Sequence, residues 1–141
     1  MTRSEVAPSD HVFRRVPPVL VVSDPKVPGG LRASSSAFCD DPDGSPMSVY
    51  AMSIVTRLGL DHTAVVYGKE SGWGVAQTPV ELLAEEEQQV LLDPVVAVEV
   101  PHPCDPAHGI VVGDKQPKSR RERIARGSPL VHIVHIVHIV P

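Results

Sequence analysis

The sequence predicts an α+β fold, a single small domain of short mixed or antiparallel strands with two to three short helices. Short β-branched runs and segments of helical spacing follow one another without strict alternation, which argues against a doubly wound parallel sheet. The chain of 141 residues, 42% hydrophobic, fits one domain with a modest core. Fifteen prolines predict that its regular elements are short.

Composition divides the chain into three parts. Residues 1–15 are polar and predict a flexible N-terminal arm, and residues 16–127 carry the patterns of the α+β domain. Residues 128–141 form an apolar tail in which Val-His-Ile is repeated three times. A period of three suits neither a half-buried strand nor an α-helix, but the β-branched content favours a strand. Such a tail is expected to pair onto a sheet edge or to promote self-association.

Two helices have recognisable start signals. Met47, Tyr50, Ile54 and Leu58 recur at helical spacing after Ser45, a typical N-cap residue. A capping box, Thr-Pro-Val-Glu at 78–81, predicts the start of a second helix that runs through the acidic residues 85–87. The remaining predicted elements are strands over 31–38, 64–67, 90–92, 95–100 and 110–112, and a basic helix over 118–126 that ends at Gly127.

Charge, cysteine content and hydropathy favour a reduced cytoplasmic protein without a membrane partner. The net charge of −4 argues against a duplex-binding protein whose whole surface is basic. Cys39 and Cys104 are too few for a disulfide framework, although they could form one bridge. The N-terminus lacks the apolar segment of a signal peptide, and no apolar run is long enough to span a bilayer.

The segment 101–108 concentrates two imidazoles, a thiol and a carboxylate among three prolines, directly before an apolar run. His102, Cys104 and His108 could together ligate a transition metal such as zinc, with Asp105 as a further ligand or a supporting residue. No other cofactor is implied. The spacing matches no specific zinc pattern, so a proline-stiffened turn capped by Asp105 is the alternative interpretation.

The same segment could act without a metal. His108 would be the general acid or base, because its intrinsic pKa lies near neutrality, and Asp105 would orient its ring. The nucleophile would be Cys104 or a serine from 34–36.

A second candidate site lies at 32–36. Arg32 with Ser34, Ser35 and Ser36 could hold a phosphate or carboxylate through charge-assisted hydrogen bonds. The alternative is a simple strand, whose alternation would turn Ser35 away from Arg32.

The basic helix supplies a third candidate surface. Lys118, Arg120, Arg121 and Arg123 could contact a nucleic-acid backbone or an acidic partner. No aromatic side chain is interleaved for base stacking, so a solvated helix face is the alternative.

Three segments carry a resemblance: the Arg-x-Ser-Ser-x-Ala-Phe strand at 32–38, Asp-Asp-Pro-Asp-Gly-Ser-Pro-Met-Ser-Val-Tyr at 40–50, and Asp-Pro-Ala-His at 105–108. Together they resemble small uncharacterised proteins of GC-rich bacteria, and the absence of Asn agrees with a GC-rich coding sequence. Those proteins have no established activity, so the resemblance implies no catalytic role.

The leading functional hypothesis is a small cytoplasmic binding or accessory module that recognises a protein partner or a small anionic ligand through Arg32, the adjacent serines, Asp105 and His108. The rival is a hydrolase or nuclease-like enzyme that uses His102, Asp105 and His108, with or without a metal. The enzyme hypothesis requires Arg32, Asp105 and His108 to converge in one pocket. Nucleic-acid binding through the basic helix ranks third.

Overall fold

A computed structural model describes residues 3–96, 99 and 101–135. The described chain is a small α+β domain with three helices and eight strands, as predicted. The strands are β1 (His11–Val16), β2 (Val21–Ser23), β3 (Leu31–Ala33), β4 (Met47–Ala51), β5 (Gly74–Pro79), β6 (Gln89–Leu92), β7 (His108–Val112) and β8 (Leu130–Ile133). The helices are α1 (Met52–Arg57), α2 (Val80–Glu85) and α3 (Lys118–Arg126), joined by short 3-10 turns. None of these helices is long and apolar enough to cross a membrane.

Six strands form one antiparallel sheet in the order β6-β7-β4-β1-β5-β8, and β2 and β3 form a separate hairpin. Alternation along the central strands sends side chains to two cores. Val12 and Val49 belong to one core, together with Phe38, Leu83 and Ile124. The second core, on the other face of the sheet, consists of Phe13, Tyr50, Val55, Val65, Val66, Val75, Cys104 and Ala107. The sheet is therefore covered on both faces.

The predicted arm and tail both contribute strands, which corrects the two domain boundaries. β1 begins at His11, inside the predicted arm 1–15, and lies between β4 and β5. β8 lies inside the predicted tail 128–141 and pairs with β5 at the sheet edge, as the tail was expected to do. Repeat residues 136–141 lie outside the described residues.

The predicted helix over 47–58 is instead a strand followed by a helix. β4 occupies 47–51 and pairs with both β1 and β7, and α1 begins only at Met52. Met47, Val49 and Ala51 are buried on one face of the sheet, which is the two-residue period of a strand. The same segment also contains apolar residues at helical spacing, so the sequence pattern fits both structures. Pairing on both sides outweighs the local N-cap signal.

Other local predictions are corrected in a similar way. The predicted strand 64–67 is a 3-10 turn, His62–Val66, and the predicted strand 31–38 ends at Ala33, where a 3-10 turn over Ser35–Ala37 follows. Thr78 lies in β5, so it does not cap α2, whose N-cap is Pro79. No strand occurs over 93–96, and the rest of the predicted strand 95–100 lies largely outside the described residues. By contrast β6, β7 and α3, ending at Gly127, are confirmed.

Candidate functional site

The segment 101–108 is a turn held by its own polar groups. The Asp105 carboxylate accepts a hydrogen bond from the His102 backbone N–H at 2.8 Å. His102 Nδ1 in turn accepts one from the Cys104 N–H at 3.0 Å. Asp105 then begins a 3-10 turn that leads directly into β7. This is the proline-stiffened, Asp-capped turn of the alternative interpretation.

His102 packs as an aromatic side chain. Its ring stacks on Tyr50 with centroids 5.5 Å apart and meets the Tyr67 ring edge-on. Because Nδ1 accepts a hydrogen bond, Nε2 carries the proton in the neutral ring, and Nε2 is buried without a well-formed hydrogen bond among the described residues. Burial, assisted by the Arg15 cation, lowers the pKa of His102, and the Asp105 carboxylate and the Val65 backbone only partly oppose this shift.

Cys104 is fully buried, and burial raises the pKa of its thiol to about 11. A thiol that stays neutral at neutral pH is a poor nucleophile. No group of three His, Cys, Asp or Glu side chains in 3–96, 99 and 101–135 is arranged to hold a metal ion. The predicted metal site at His102, Cys104 and His108 therefore does not fit the geometry of the loop.

His108 belongs to a different cluster. Its Nδ1 lies 2.7 Å from the Asp93 backbone carbonyl and 3.8 Å from the Asp93 carboxylate. A carbonyl can only accept, so Nδ1 carries the proton and Nε2 is left to accept from the Ser48 hydroxyl at 3.2 Å. Asp105 makes no hydrogen bond to this ring, so the prediction that Asp105 orients His108 is corrected: Asp93 does so.

The Ser48–His108–Asp93 cluster was missed in the sequence because its members come from β4, β7 and the residue after β6. The only available signal was the alternation of Met47, Val49 and Ala51, which predicts that Ser48 lies on the opposite face of a strand. In this cluster the Ser48 hydroxyl lies next to the His108 ring, a candidate base, and Asp93 orients that ring, as in the nucleophile–base–orienter arrangement of some enzymes. The Ser48 carbonyl accepts from Arg14, and neither Ser48 nor His108 lines a described cleft.

A cleft that collects charged side chains lies elsewhere in the described chain, between the β2–β3 hairpin and α3. It has a volume of about 490 Å³. We call it the cationic cleft, and its lining residues are Asp24, Lys26, Arg32, Ser34, Ser35, Lys118, Glu122, Ala125 and Arg126. Four basic and two acidic side chains thus leave an excess of positive charge in the lining.

Local structure explains how Arg32 and two serines reach the same cleft. β3 ends at Ala33, and Ser34 caps the following 3-10 turn by accepting from the Ser36 N–H at 3.3 Å. Because the strand ends there, Ser34 and Ser35 both line the cleft with Arg32, whereas continued alternation would have separated Ser35 from Arg32. Ser36 is exposed and lies outside the lining.

Only part of the basic charge in the cleft is paired. Arg32 Nε lies 2.9 Å from Asp24 Oδ2. The pKa of Asp24 is lowered by the Lys26 backbone N–H and then by Arg32. Lys118 lies 3.9 Å from Glu122, a loose pair one helical turn apart. Within the described part of the chain, Lys26 and Arg126 form no ion pair.

The structure does not bring all predicted site residues together. Arg32 lines the cationic cleft, to which neither Asp105 nor His108 contributes. The convergence that the enzyme hypothesis requires is therefore not present in the described residues.

The basic helix is largely occupied by contacts within the chain. Arg123 forms a two-bond ion pair with Glu86, and Arg120 contacts Glu86 and Glu87. Arg121 donates to the backbone carbonyls of 115 and 116. Of the four residues predicted to contact nucleic acid, only Lys118 is mostly exposed and bound only by a loose ion pair.

Comparison with known proteins adds no assignment. The chain matches no protein-family model, no curated protein and no solved structure. The resemblance to small proteins of GC-rich bacteria stays a prediction.

Proposed function

We propose that this chain is a small binding module that holds an anionic ligand in the cationic cleft. The observation that carries the proposal is that Arg32, Ser34 and Ser35, on one side of the cleft, face basic side chains of α3 on the other. Such a ligand would present a phosphate or carboxylate group, because guanidinium, ammonium and hydroxyl groups all donate hydrogen bonds to these anions.

Unpaired charge supports this proposal. Lys26 and Arg126 reach the cleft without a carboxylate partner among the described residues, so an incoming anion need not displace an existing ion pair from either. Arg32 is held by Asp24 through Nε and by the Ala33 carbonyl through Nη1. These bonds fix the guanidinium plane and leave Nη2 to donate, which suits the planar recognition of an oxyanion.

The hydrolase hypothesis is less well supported than binding. Asp105 is used in capping its own turn, and the thiol of Cys104 is buried and neutral. The Ser48–His108–Asp93 cluster has the right order of groups, but it lies outside the clefts described above. Binding needs only the arrangement that the cationic cleft already has.

A bacterial and cytoplasmic setting is a further part of the proposal. It is supported by the free thiols of Cys39 and Cys104, which are typical of a reducing compartment, and by the composition noted above.

The test is a titration with inorganic phosphate, followed by amide chemical shifts in two-dimensional NMR. We expect shifts to concentrate at 24–35 and 118–126 and the affinity to fall with added salt, because the contacts are ionic and partly exposed. Arg126→Gln should weaken binding by at least about tenfold, because a hydrogen bond to a charged group contributes about 1.5–3 kcal/mol.

Arg57→Gln is the matched control, since Arg57 is an exposed arginine at the end of α1, away from the cleft lining. Equal affinity of the Arg126→Gln and Arg57→Gln variants, or shifts that concentrate outside the cleft, would contradict the proposal.

A further inference from the structure

The cationic cleft adjoins a second recess of different chemistry. This recess has a volume of about 380 Å³ and shares Asp24, Arg32, Ala125 and Arg126 with the cationic cleft. Beyond that shared wall, the lining consists of Val27, Pro28, Leu31, Gly127, Ser128, Pro129 and Leu130, and we call this part the apolar lobe. The two volumes are therefore neighbours that share a wall, one with a charged lining and one with a mostly apolar lining.

The one hydroxyl in the apolar lobe is already used within the protein. Ser128 is 1% exposed, and its hydroxyl contacts the Ile124 carbonyl at 2.6 Å and the Thr78 hydroxyl at 2.7 Å. A ligand in the lobe would find no free polar side chain beyond the shared wall. The lobe is thus better suited to a hydrocarbon group than to a polar group, because its own side chains offer no free hydrogen-bond partner.

The position of the arginines links the two ends. Arg32 and Arg126 line both volumes, so these two residues lie where the cationic cleft meets the apolar lobe. Leu31, directly before Arg32 in β3, is 39% exposed and would lose that exposure to a ligand chain. Removing such apolar surface from water is favourable and adds to the ionic attraction at the junction.

We infer that the ligand is an amphiphilic anion, with a phosphate or carboxylate head in the cationic cleft and a short apolar chain or ring in the apolar lobe. This inference rests on the proposed function and adds to it the chemical class of the ligand. The head group supplies charge recognition, and the apolar part distinguishes the ligand from inorganic phosphate and other small hydrophilic anions.

The test compares inorganic phosphate, octyl phosphate below its micelle concentration and octanol by isothermal titration calorimetry. We expect octyl phosphate to bind at least tenfold more tightly than inorganic phosphate, and octanol to bind much more weakly than octyl phosphate. Leu31→Ser should remove most of the gain from the octyl chain without changing the affinity for phosphate. Val19→Ser is the matched control, because Val19 is 83% exposed and lies outside both linings.

The outcomes separate this inference from the proposed function. Equal affinity for phosphate and octyl phosphate would overturn the inference and leave the anion site standing. No binding of either compound would overturn both. Equal losses in the Leu31→Ser and Val19→Ser variants, or octanol binding as tightly as octyl phosphate, would also overturn the inference, because the chain would then bind nonspecifically or without the head group.

A soluble metabolite and a lipid head group share this chemistry, and vesicles distinguish the two sources. Cosedimentation with phosphatidylglycerol vesicles that is lost in the Leu31→Ser variant would support the inference with a lipid as the source. Octyl phosphate binding without cosedimentation would support it with a soluble ligand.

Discussion

The Lys115 ammonium lies 2.7 Å from the Asp40 carboxylate, and the lysine side chain is only 3% exposed. Its Nζ also donates to the carbonyls of Val111 and Gly113, at 2.8 and 3.1 Å. The Asp40 carboxylate accepts in addition from the Met47 N–H at the start of β4. One buried cation therefore joins the loop before β4 to the chain that leaves β7.

Lys115→Ala should destabilise the fold by about 1–3 kcal/mol, because it leaves the Val111 and Gly113 carbonyls without their donor and removes the partner of Asp40, whose side chain is 40% exposed. Urea unfolding followed by circular dichroism measures this change. Lys118→Ala is the control, since Lys118 is 74% exposed and should change the free energy of unfolding by less than about 0.5 kcal/mol. Similar values for both variants would show that the Lys115–Asp40 pair has no special role.

The two cysteines should differ sharply in reactivity. Cys104 is fully buried with its pKa raised to about 11, whereas Cys39 is half-buried, with Sγ near the Ser36 carbonyl. Iodoacetamide at pH 7.5 should modify Cys104 more than about a hundredfold more slowly than Cys39 in the folded protein. Peptide mass spectrometry measures both rates, and unfolding in urea should abolish the difference. Comparable rates in the folded state would contradict the burial of Cys104.

Glu86 should make stability depend on acid pH. The hydrogen bonds from Arg123, supported by the charges of Arg123 and Arg120, lower the pKa of Glu86 below its ordinary value of 4.5. As the pH falls, Glu86 is therefore protonated in the unfolded chain before it is protonated in the folded protein. The stabilisation by the ionised Glu86 is complete above pH 4.5 and is lost as the pH falls through the pKa of the folded state. Urea unfolding between pH 6 and pH 3 should show a smaller loss for Glu86→Gln than for the unmodified protein. An equal loss would mean that another carboxyl group dominates.

His102 should also make the protein less stable on acidification, at pH values just above those at which Glu86 acts. Its pKa is lowered from 6.5 by burial and by Arg15, so the unfolded chain is protonated first below pH 6.5. Stability should fall from there down to the folded pKa and level off below it. His132 is shifted in the same direction by burial, so His102→Gln should remove only part of the loss. NMR titration of the rings is the direct measurement, and a His102 midpoint at or above 6.5 would contradict this prediction.

Local signals predicted some elements, such as α3 and β7, but the N-cap signal at Ser45 and the capping box at 78–81 were overridden by strand pairing with distant partners. α3 has its basic residues and Gly127 as a stop, and β7 is a short run of β-branched residues. β1 was missed because Arg14 and Arg15 interrupt its apolar residues. Both cations are accommodated by tertiary contacts: Arg14 donates to the carbonyls of 37 and 48, and Arg15 lies over the Tyr50 ring.

The same distinction holds for the candidate site. Arg32, Ser34 and Ser35 were predicted because they are adjacent in the chain, and they do line one cleft. The facing residues Lys118 and Arg126 come from a helix more than eighty positions later, and no local pattern indicates that this helix packs against the serine turn. The apolar lobe needs Leu31 and Leu130 together, which only the packed fold provides.

The central position of β1 determines when the protein can fold during synthesis. His11–Val16 leaves the ribosome long before its partners, since β4 and β5 follow some thirty and sixty residues later. Leu130–Ile133 must then emerge before it can pair with β5. Until residues 47–79 have emerged, β1 therefore lacks its partners, a state that exposes an unpaired strand to misassociation. The apolar lobe forms only when β8 is in place, because Leu130 contributes to its lining.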